Sequence, residues 1–283
     1  MEPAKKALVS IIVPAYNHGI YIGECLDSVI SQTFKDWECI IVDNGSTDNT
    51  SVIVNAYVLK DSRFRYHYTS QKGVSFARNT AVALSTGTYI LPLDSDDKIA
   101  AAYLEKAVKT IESDKGVDLV YCDAELFGVG KGKWILPEYS FKGLLIENSI
   151  FCTALYRKSD FETAGGYNEN MKEGFEDWDF WIKLMQRGGR VHRIRETLFY
   201  YRIRPESRNN SLSEERQRRL RRQIFENHTE LYQKTFSIPD LLFDNHNLLK
   251  ETAAVLTSRE YRLGTTLLKP LRFIKKLLKR AQA

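Results

Sequence analysis

"ILPLDSDDKI" spans residues 90–99 and sets three carboxylates, Asp94, Asp96 and Asp97, within four positions directly after an apolar run. Like charges this close repel one another, so the arrangement calls for a cation or a solvated turn to relieve it. The run before it, "TYILPLD" (88–94), is short, apolar and rich in β-prone residues, which places the acidic group at the end of a strand. The kind of sheet that strand joins decides the fold.

Outward from it, the chain as far as residue 123 alternates between two patterns. "LVSIIVP" (8–14), "WECIIVD" (37–43), "FRYHYT" (64–69) and "VDLVYCD" (117–123) read as further strands. Between them, "YIGECLDSVISQ" (21–32), "TDNTSVIVNAYVL" (47–59), "VSFARNTAVALS" (74–85) and "AAYLEKAVKTIES" (101–113) carry apolar residues at helical spacing. This succession predicts an α/β fold in which a mainly parallel sheet is flanked by helices. Ligands of such sheets gather at the carboxyl ends of the strands. Pro14-Ala15-Tyr16-Asn17, Asp43-Asn44-Gly45-Ser46 and Asp94-Ser95-Asp96-Asp97 all fall there, so three strand ends are expected to meet in one crevice.

Further along, "GVGKGKW" (128–134) lacks the spacing of a phosphate loop and opens no helix, so it reads as a hairpin turn. No GxGxxG follows the first strand, which disfavours dinucleotide chemistry. From Ser211 the chain becomes charge-rich and helical, in "LSEERQRRLRRQIFENHTELYQKTF" (212–236) and "LLFDNHNLLKETAAVL" (241–256). The expected organisation is an α/β domain over 1–210, a helical appendage over 211–258 and a basic tail over 259–283.

With 283 residues, 43% of them hydrophobic, the chain can bury a real core, which excludes disorder of the whole. Cys25, Cys39, Cys122 and Cys152 lie far apart and form no CxxC pair, so neither a zinc site nor a disulfide framework is expected, and a reducing compartment fits. The first residues lack the apolar core of a signal peptide, and no segment reaches the ~18 apolar residues of a membrane span. A cytoplasmic location is the expectation. The net charge is +5; residues 259–283 carry eight Lys or Arg against one Glu, and the remainder 33 basic against 35 acidic residues. The near-neutral body argues against nucleic acid as a partner.

That tail, "TTLLKPLRFIKKLLKRAQA" (265–283), sets Leu267, Leu271, Ile274 and Leu278 on one helical face and basic residues on the other. It is too short and charged to span a bilayer, but it suits an anionic membrane surface. The alternative is a helix docked on the body or on a second subunit.

"GFEDWDFWIKLMQRGG" (174–189) brings Glu176, Asp177 and Asp179 to a helix start, where carboxylates compensate the dipole and one can also act chemically. An ordinary carboxyl near ~4 would require proton transfer to accompany attack rather than precede it. Trp178 and Trp181 either offer an apolar face to a ligand or join the core.

"SIIVPAYNHGIYIGECLDSVISQTFKDWECIIVDNGSTDNT", "GVSFARNTAVALSTGTYILPLDSDD" and "EDWDFWIKLMQRGG" occur in the order and at the spacing of family 2 glycosyltransferases, and the resemblance covers residues 8–202. It implies a GT-A fold and an inverting transfer of a hexosyl or N-acetylhexosaminyl group from a nucleoside-diphosphate donor, UDP-linked by expectation. The acceptor it implies is a hydroxyl of a glycan or lipid-linked glycan in cell-surface polysaccharide synthesis. It further implies a nucleotide loop at Pro14, Ala15, Tyr16 and Asn17, a base-reading carboxylate at Asp43 and a basic residue near base and diphosphate at Arg78. Asp94, Ser95 and Asp96 fall to the donor, Asp96 and Asp97 to Mn²⁺ or Mg²⁺, and Asp177 to general base. Glu176, Trp178, Arg202, Arg204 and Arg208 are candidate acceptor or diphosphate contacts. Many relatives complete the metal site with a His after the last core strand, whereas "FYYRIRPESRNNS" (199–211) has none, and the third-ligand position stays empty. Two other readings are a sugar-nucleotide nucleotidyltransferase, which would need a glycine-rich basic loop after the first strand, and a binding module that has kept the fold without catalysis.

Overall fold

The computed structural model describes residues 6–204 and 213–237, with scattered positions from there to Ser258. The chain forms two compact units, Met1–His228 and Thr229–Ala283. The first contains strands β1 (Val9–Ala15), β2 (Trp37–Asp43), β3 (Phe64–Tyr68), β4 (Tyr89–Pro92), β5 (Lys98–Ile99), β6 (Val117–Gly128), β7 (Gly132–Trp134), β8 (Leu155–Arg157) and β9 (Arg190–Ile203). Its helices are α1 (Ile22–Ile30), α2 (Thr50–Lys60), α3 (Val74–Leu84), α4 (Tyr103–Ser113), α5 (Phe141–Leu144), α6 (Lys158–Ala164), α7 (Glu176–Met185) and α8 (Glu214–Asn227). In the second unit, α9 runs over Thr229–Thr235. α8, within the stretch read from sequence as a helical appendage, falls in the first unit.

The strands form one mixed sheet in the order β3-β2-β1-β4-β8-β6-β9-β5, with β7 hairpinned onto β6. β3, β2, β1 and β4 are parallel, and β8 inserts antiparallel between β4 and β6. β1 and β2 are buried along their whole length, as central strands covered on both faces must be. Amphipathic helices supply the cover: α4 buries Tyr103, Leu104, Ala107, Val108 and Ile111, one face at helical spacing. α3 turns Ala77, Ala81 and Val82 inward and takes Arg78 with them, so its guanidinium must find partners within the protein.

The glycine-rich stretch at 128–134 is the expected hairpin, with Leu126 facing Gly132. β9 pairs with β6 through Ile203 and with β5 through Tyr200, and so delivers Arg202 and Arg204 beside the acidic turn. α7 is entered through two successive left-handed residues, Gly174 (φ 131°) and Phe175 (φ 60°). A bulky residue held there stores strain that the surrounding packing must sustain. That packing is aromatic: Phe180 meets Tyr156 edge-on and Tyr167 and Trp181 at a tilt, fixing α7 to the body.

Candidate active site

The adjacency β2-β1-β4 brings the three polar strand ends together. Ala15 pairs with Asp43 in register, and Asn44 donates to the Ala15 carbonyl (2.9 Å). Asn17, in the left-handed region that Asn tolerates, accepts from Thr47 N (2.8 Å) and donates its own N–H to Ser46 Oγ (2.9 Å). Two loops are thereby sewn into one wall. Buried Asp43 accepts from Ser46 N (2.7 Å) and from the Tyr66 hydroxyl (2.8 Å), which fix its carboxylate at the wall's base. Tyr16 stands partly exposed at the mouth with the Lys72 ammonium 5.3 Å from its ring centroid. Pro14 and Ala15 are strand residues inside the sheet.

The acidic turn is closed by Asp97 N donating to the Asp94 carbonyl (2.9 Å), and its side chains diverge. Asp94 pairs with Arg78 (2.6 Å), and the same guanidinium donates to Glu176 (2.7 Å). Arg78 is 1% exposed and thus spent on these two carboxylates, with its CZ 5.4 Å from the Tyr167 ring centroid. Ser95 is buried and meets His18 Nδ1 at 2.7 Å. Asp96 pairs with Arg204 Nε (2.9 Å), whose Nη1 lies 2.9 Å from His18 Nε2. Arg202 works as a strut: its N–H donates to Asp97 (2.8 Å), its Nε to the Asp96 carbonyl (2.7 Å), and its guanidinium pairs with Glu24 while covering Phe127.

Asp97 is therefore turned inward, and its Oδ2 is buried without a hydrogen-bond partner. Burial and the neighbouring Asp96 and Asp94 push its carboxyl well above the usual range. Ligand atoms of Asp94, Asp97 and Cys152 lie within 4.8 Å of one another, the group among the described residues with the donors and spacing to hold a cation. Of the expected pair, Asp97 lies in this group with Asp94 and the Cys152 sulfur, while Asp96 lies against Arg204. An orphaned buried carboxylate oxygen beside two further donors fits a cation.

Opposite the turn, Asp177 sits in the first turn of α7. Trp178 N donates to one of its oxygens (2.8 Å), and Asn148 Nδ2 lies 3.3 Å from the other. Burial, reinforced by Glu176 and opposed by Arg78, pushes its carboxyl up to about 7. The expectation of an ordinary carboxyl near ~4 is thus corrected by desolvation. Trp178 and Trp181 are both buried, the former donating to the Leu144 carbonyl (2.6 Å) beneath Phe175 and Arg221. Asp179 faces away, satisfied by Asn168, Asn227 and His228. Arg208 and the tail lie outside the described residues. His18, Asn148, Cys152 and Tyr66 were missed by sequence reasoning; His18 alone carried a signal, following directly on the first strand-end loop.

Residues 10–171 match the family model described as "Glycosyl transferase family 2". The chain belongs to glycosyltransferase family 2. Among curated proteins it is 30% identical over 215 residues to the glycosyltransferase EpsJ of Bacillus subtilis, covering 71% of this chain and 62% of that one. It is 33% identical over 192 residues to the chondroitin synthase of Pasteurella multocida, covering 65% of this chain and 20% of the relative. The chain thus spans less than two thirds of either relative's length. Among solved structures, Staphylococcus aureus TarS 1–349 in complex with UDP-GlcNAc aligns with a TM-score of 0.63 at 21% identity, over 82% of this chain and 77% of that one. The mannosyltransferase PcManGT of Pyrobaculum calidifontis, in complex with GDP-Man and Mn²⁺, aligns at 0.59 and 20%, over 93% and 84%. At that identity the likeness shows the fold, which is GT-A. Among the described residues no helix is long and apolar enough to cross a membrane.

Proposed function

We propose that this family 2 enzyme transfers a hexosyl or N-acetylhexosaminyl group, with inversion, from a nucleoside-diphosphate sugar to a hydroxyl of a glycan or lipid-linked glycan in polysaccharide synthesis. The observation that carries this reading is the Arg78 bridge. One buried guanidinium ties Asp94 of the acidic turn to Glu176 beside Asp177, so the donor-binding and proton-accepting groups belong to one rigid site. TarS in complex with UDP-GlcNAc and PcManGT in complex with GDP-Man support the donor class.

In this reading Asp43 accepts a ring N–H of the base while Tyr66 and Ser46 hold its carboxylate in place, and Tyr16 flanks the base. Asp94 and Asp97, with the Cys152 sulfur at hand, would hold Mn²⁺ or Mg²⁺, which when bound supplies positive charge against the departing diphosphate. Asp177 takes the proton of the acceptor hydroxyl as its oxygen attacks the anomeric carbon, the bond to the diphosphate breaks, and the diphosphate leaves with that electron pair. One displacement inverts the centre. A carboxyl near 7 is better matched to this task than an ordinary one, since the best catalytic pKa lies near the working pH. The basic tail over 259–283 holds the enzyme on an anionic, cytoplasmic membrane face, where a lipid-linked acceptor is confined.

The test is a panel of nucleotide sugars with glycan and lipid-linked acceptors, scored by nucleoside-diphosphate release with and without Mn²⁺. Release from one donor in the presence of acceptor is expected. Pyrophosphate release from a nucleoside triphosphate and a sugar phosphate would instead identify a nucleotidyltransferase, and donor binding with no turnover on any acceptor a binding module.

A further inference from the structure

The family resemblance left a gap, in that no His follows the last core strand. The structure fills it with other groups. Arg204 leaves β9 directly beside the acidic turn, its Nε 2.9 Å from Asp96 Oδ2 and its Nη1 2.9 Å from His18 Nε2. A carboxylate oxygen and an imidazole nitrogen are the donors a divalent ion would choose. Here a guanidinium sits between them.

His18 is held for this role. Its Nδ1 meets Ser95 Oγ (2.7 Å), so Nε2 is the nitrogen facing Arg204, and its N–H backbone group donates to Thr50 Oγ1 (3.0 Å). Arg202, two residues earlier, cannot substitute: its Nε is spent on the Asp96 carbonyl and its guanidinium on Glu24 and the Phe127 face. Arg78 is equally committed, between Asp94 and Glu176. Arg204 keeps 23% of its side chain exposed, and a guanidinium with five N–H donors has more than these two contacts consume. It therefore presents a fixed positive charge at the end of β4, where a diphosphate would lie.

We propose that Arg204, seated between Asp96 and His18, is a built-in cation for the donor's diphosphate and excludes a divalent ion from Asp96. This rests on the reading of the chain as a nucleotide-sugar transferase. It makes Asp96 a holder of arginine rather than of metal, and it separates two sources of positive charge, one carried by the chain and one recruited by Asp94 and Asp97.

The experiment is calorimetric titration of the full chain with UDP and with GDP, each in EDTA and in Mn²⁺, beside the matching nucleosides. It is repeated for Arg204→Ala, Arg204→Lys and His18→Gln, with circular dichroism to confirm folding. In EDTA, Arg204→Ala should weaken the better diphosphate at least about tenfold, the loss a charge-assisted contact carries, and leave the nucleoside unchanged. Arg204→Lys should retain part of the affinity, and His18→Gln should lose less than Arg204→Ala. Mn²⁺ titration followed by electron paramagnetic resonance should show tighter ion binding in Arg204→Ala than in wild type, because Asp96 and His18 are released. Equal diphosphate affinity in wild type and Arg204→Ala in EDTA, or Mn²⁺ affinity unchanged by the substitution, overturns the inference. Failure of the wild type to bind either diphosphate under any condition would instead sink the transferase reading itself.

Discussion

Replacing Asp177 with Asn should cost activity and add stability, and the two effects have one cause. The carboxyl titrates at about 7 because burial and the neighbouring Glu176 penalise its charged form, while in the unfolded chain it returns to ~3.9. A carboxyl raised in the folded state binds its proton more tightly folded than unfolded, so stability falls as pH rises from ~3.9 to about 7 and then levels. The full interval corresponds to a ceiling of about 4 kcal/mol of strain at alkaline pH. Two features reduce what Asn recovers. The crevice admits solvent, and the new amide nitrogen faces Asn148 Nδ2, which now lies 3.3 Å from an acceptor. The other contact survives, since the Asn oxygen still accepts from Trp178 N. A gain of about 1–2 kcal/mol is expected at pH 8, the size usual for relief at a strained functional site. For a unit of this length that raises the melting temperature by roughly 2–4 °C per kcal/mol, and the gain should shrink steadily as the comparison is moved toward pH 4. Turnover, read as nucleoside-diphosphate release with the accepted glycan, should fall about 10²-fold or more with donor affinity intact. Near-wild-type turnover would place the base elsewhere. A melting temperature that is unchanged or lowered equally at pH 8 and pH 5 would refute the desolvated carboxyl.

The same titration predicts that kcat/KM rises with pH to a plateau, with its midpoint near the Asp177 value of about 7, and that Glu176→Gln moves the midpoint down; a midpoint unmoved by this loss of a neighbouring charge would disconnect Glu176 from the base. Asp179→Ala should destabilise the first unit by about 3–5 kcal/mol in urea denaturation, because Asn168, Asn227 and His228 lose the buried carboxylate they share, whereas a loss below about 1 kcal/mol would mean these groups find other partners. The intact chain should float with vesicles containing anionic lipid, less so at high salt, and a version ending at Ser258 should not; if neither floats, the tail serves packing instead.

What the sequence made legible was local. β1, β2, β3, β4 and β6 follow from short β-prone runs, and α1 to α4 from helical spacing, because each signal lies within one element. The strand-end positions of Asp43 and the acidic turn followed at once, since a parallel sheet fixes where its carboxyl ends point. The partners did not. Arg78 meets Glu176 across 98 residues and His18 meets Arg204 across 186, and no pattern in the intervening chain encodes either approach. β8 escaped notice because three residues carry no period, yet it is the antiparallel strand that links β4 to β6. Asp177 was legible as a carboxylate but not as one near 7, because desolvation depends on Tyr167, Phe180 and Trp181 packing α7 against the body.

The site's charges explain why its positive groups are held so firmly. Asp94, Asp96, Asp97 and Glu176 converge on the place where a diphosphate, itself an anion, would enter, and left alone they would repel it. Arg78 offsets this from beneath, but it is buried and shared between Asp94 and Glu176, so it stabilises the carboxylates without reaching outward. Arg202 anchors the turn's backbone and keeps Asp97 facing inward. That leaves Asp97 with an unpartnered oxygen on one side of the turn and Arg204 partly exposed on the other. Among the described residues, a diphosphate entering this site would find repulsion relieved at those two points, one needing a cation from solution and the other carrying its own. Fixing Arg204 between Asp96 and His18 removes much of the rotamer entropy that a free surface arginine would lose on contact, so its charge is pre-organised for the ligand before the ligand arrives.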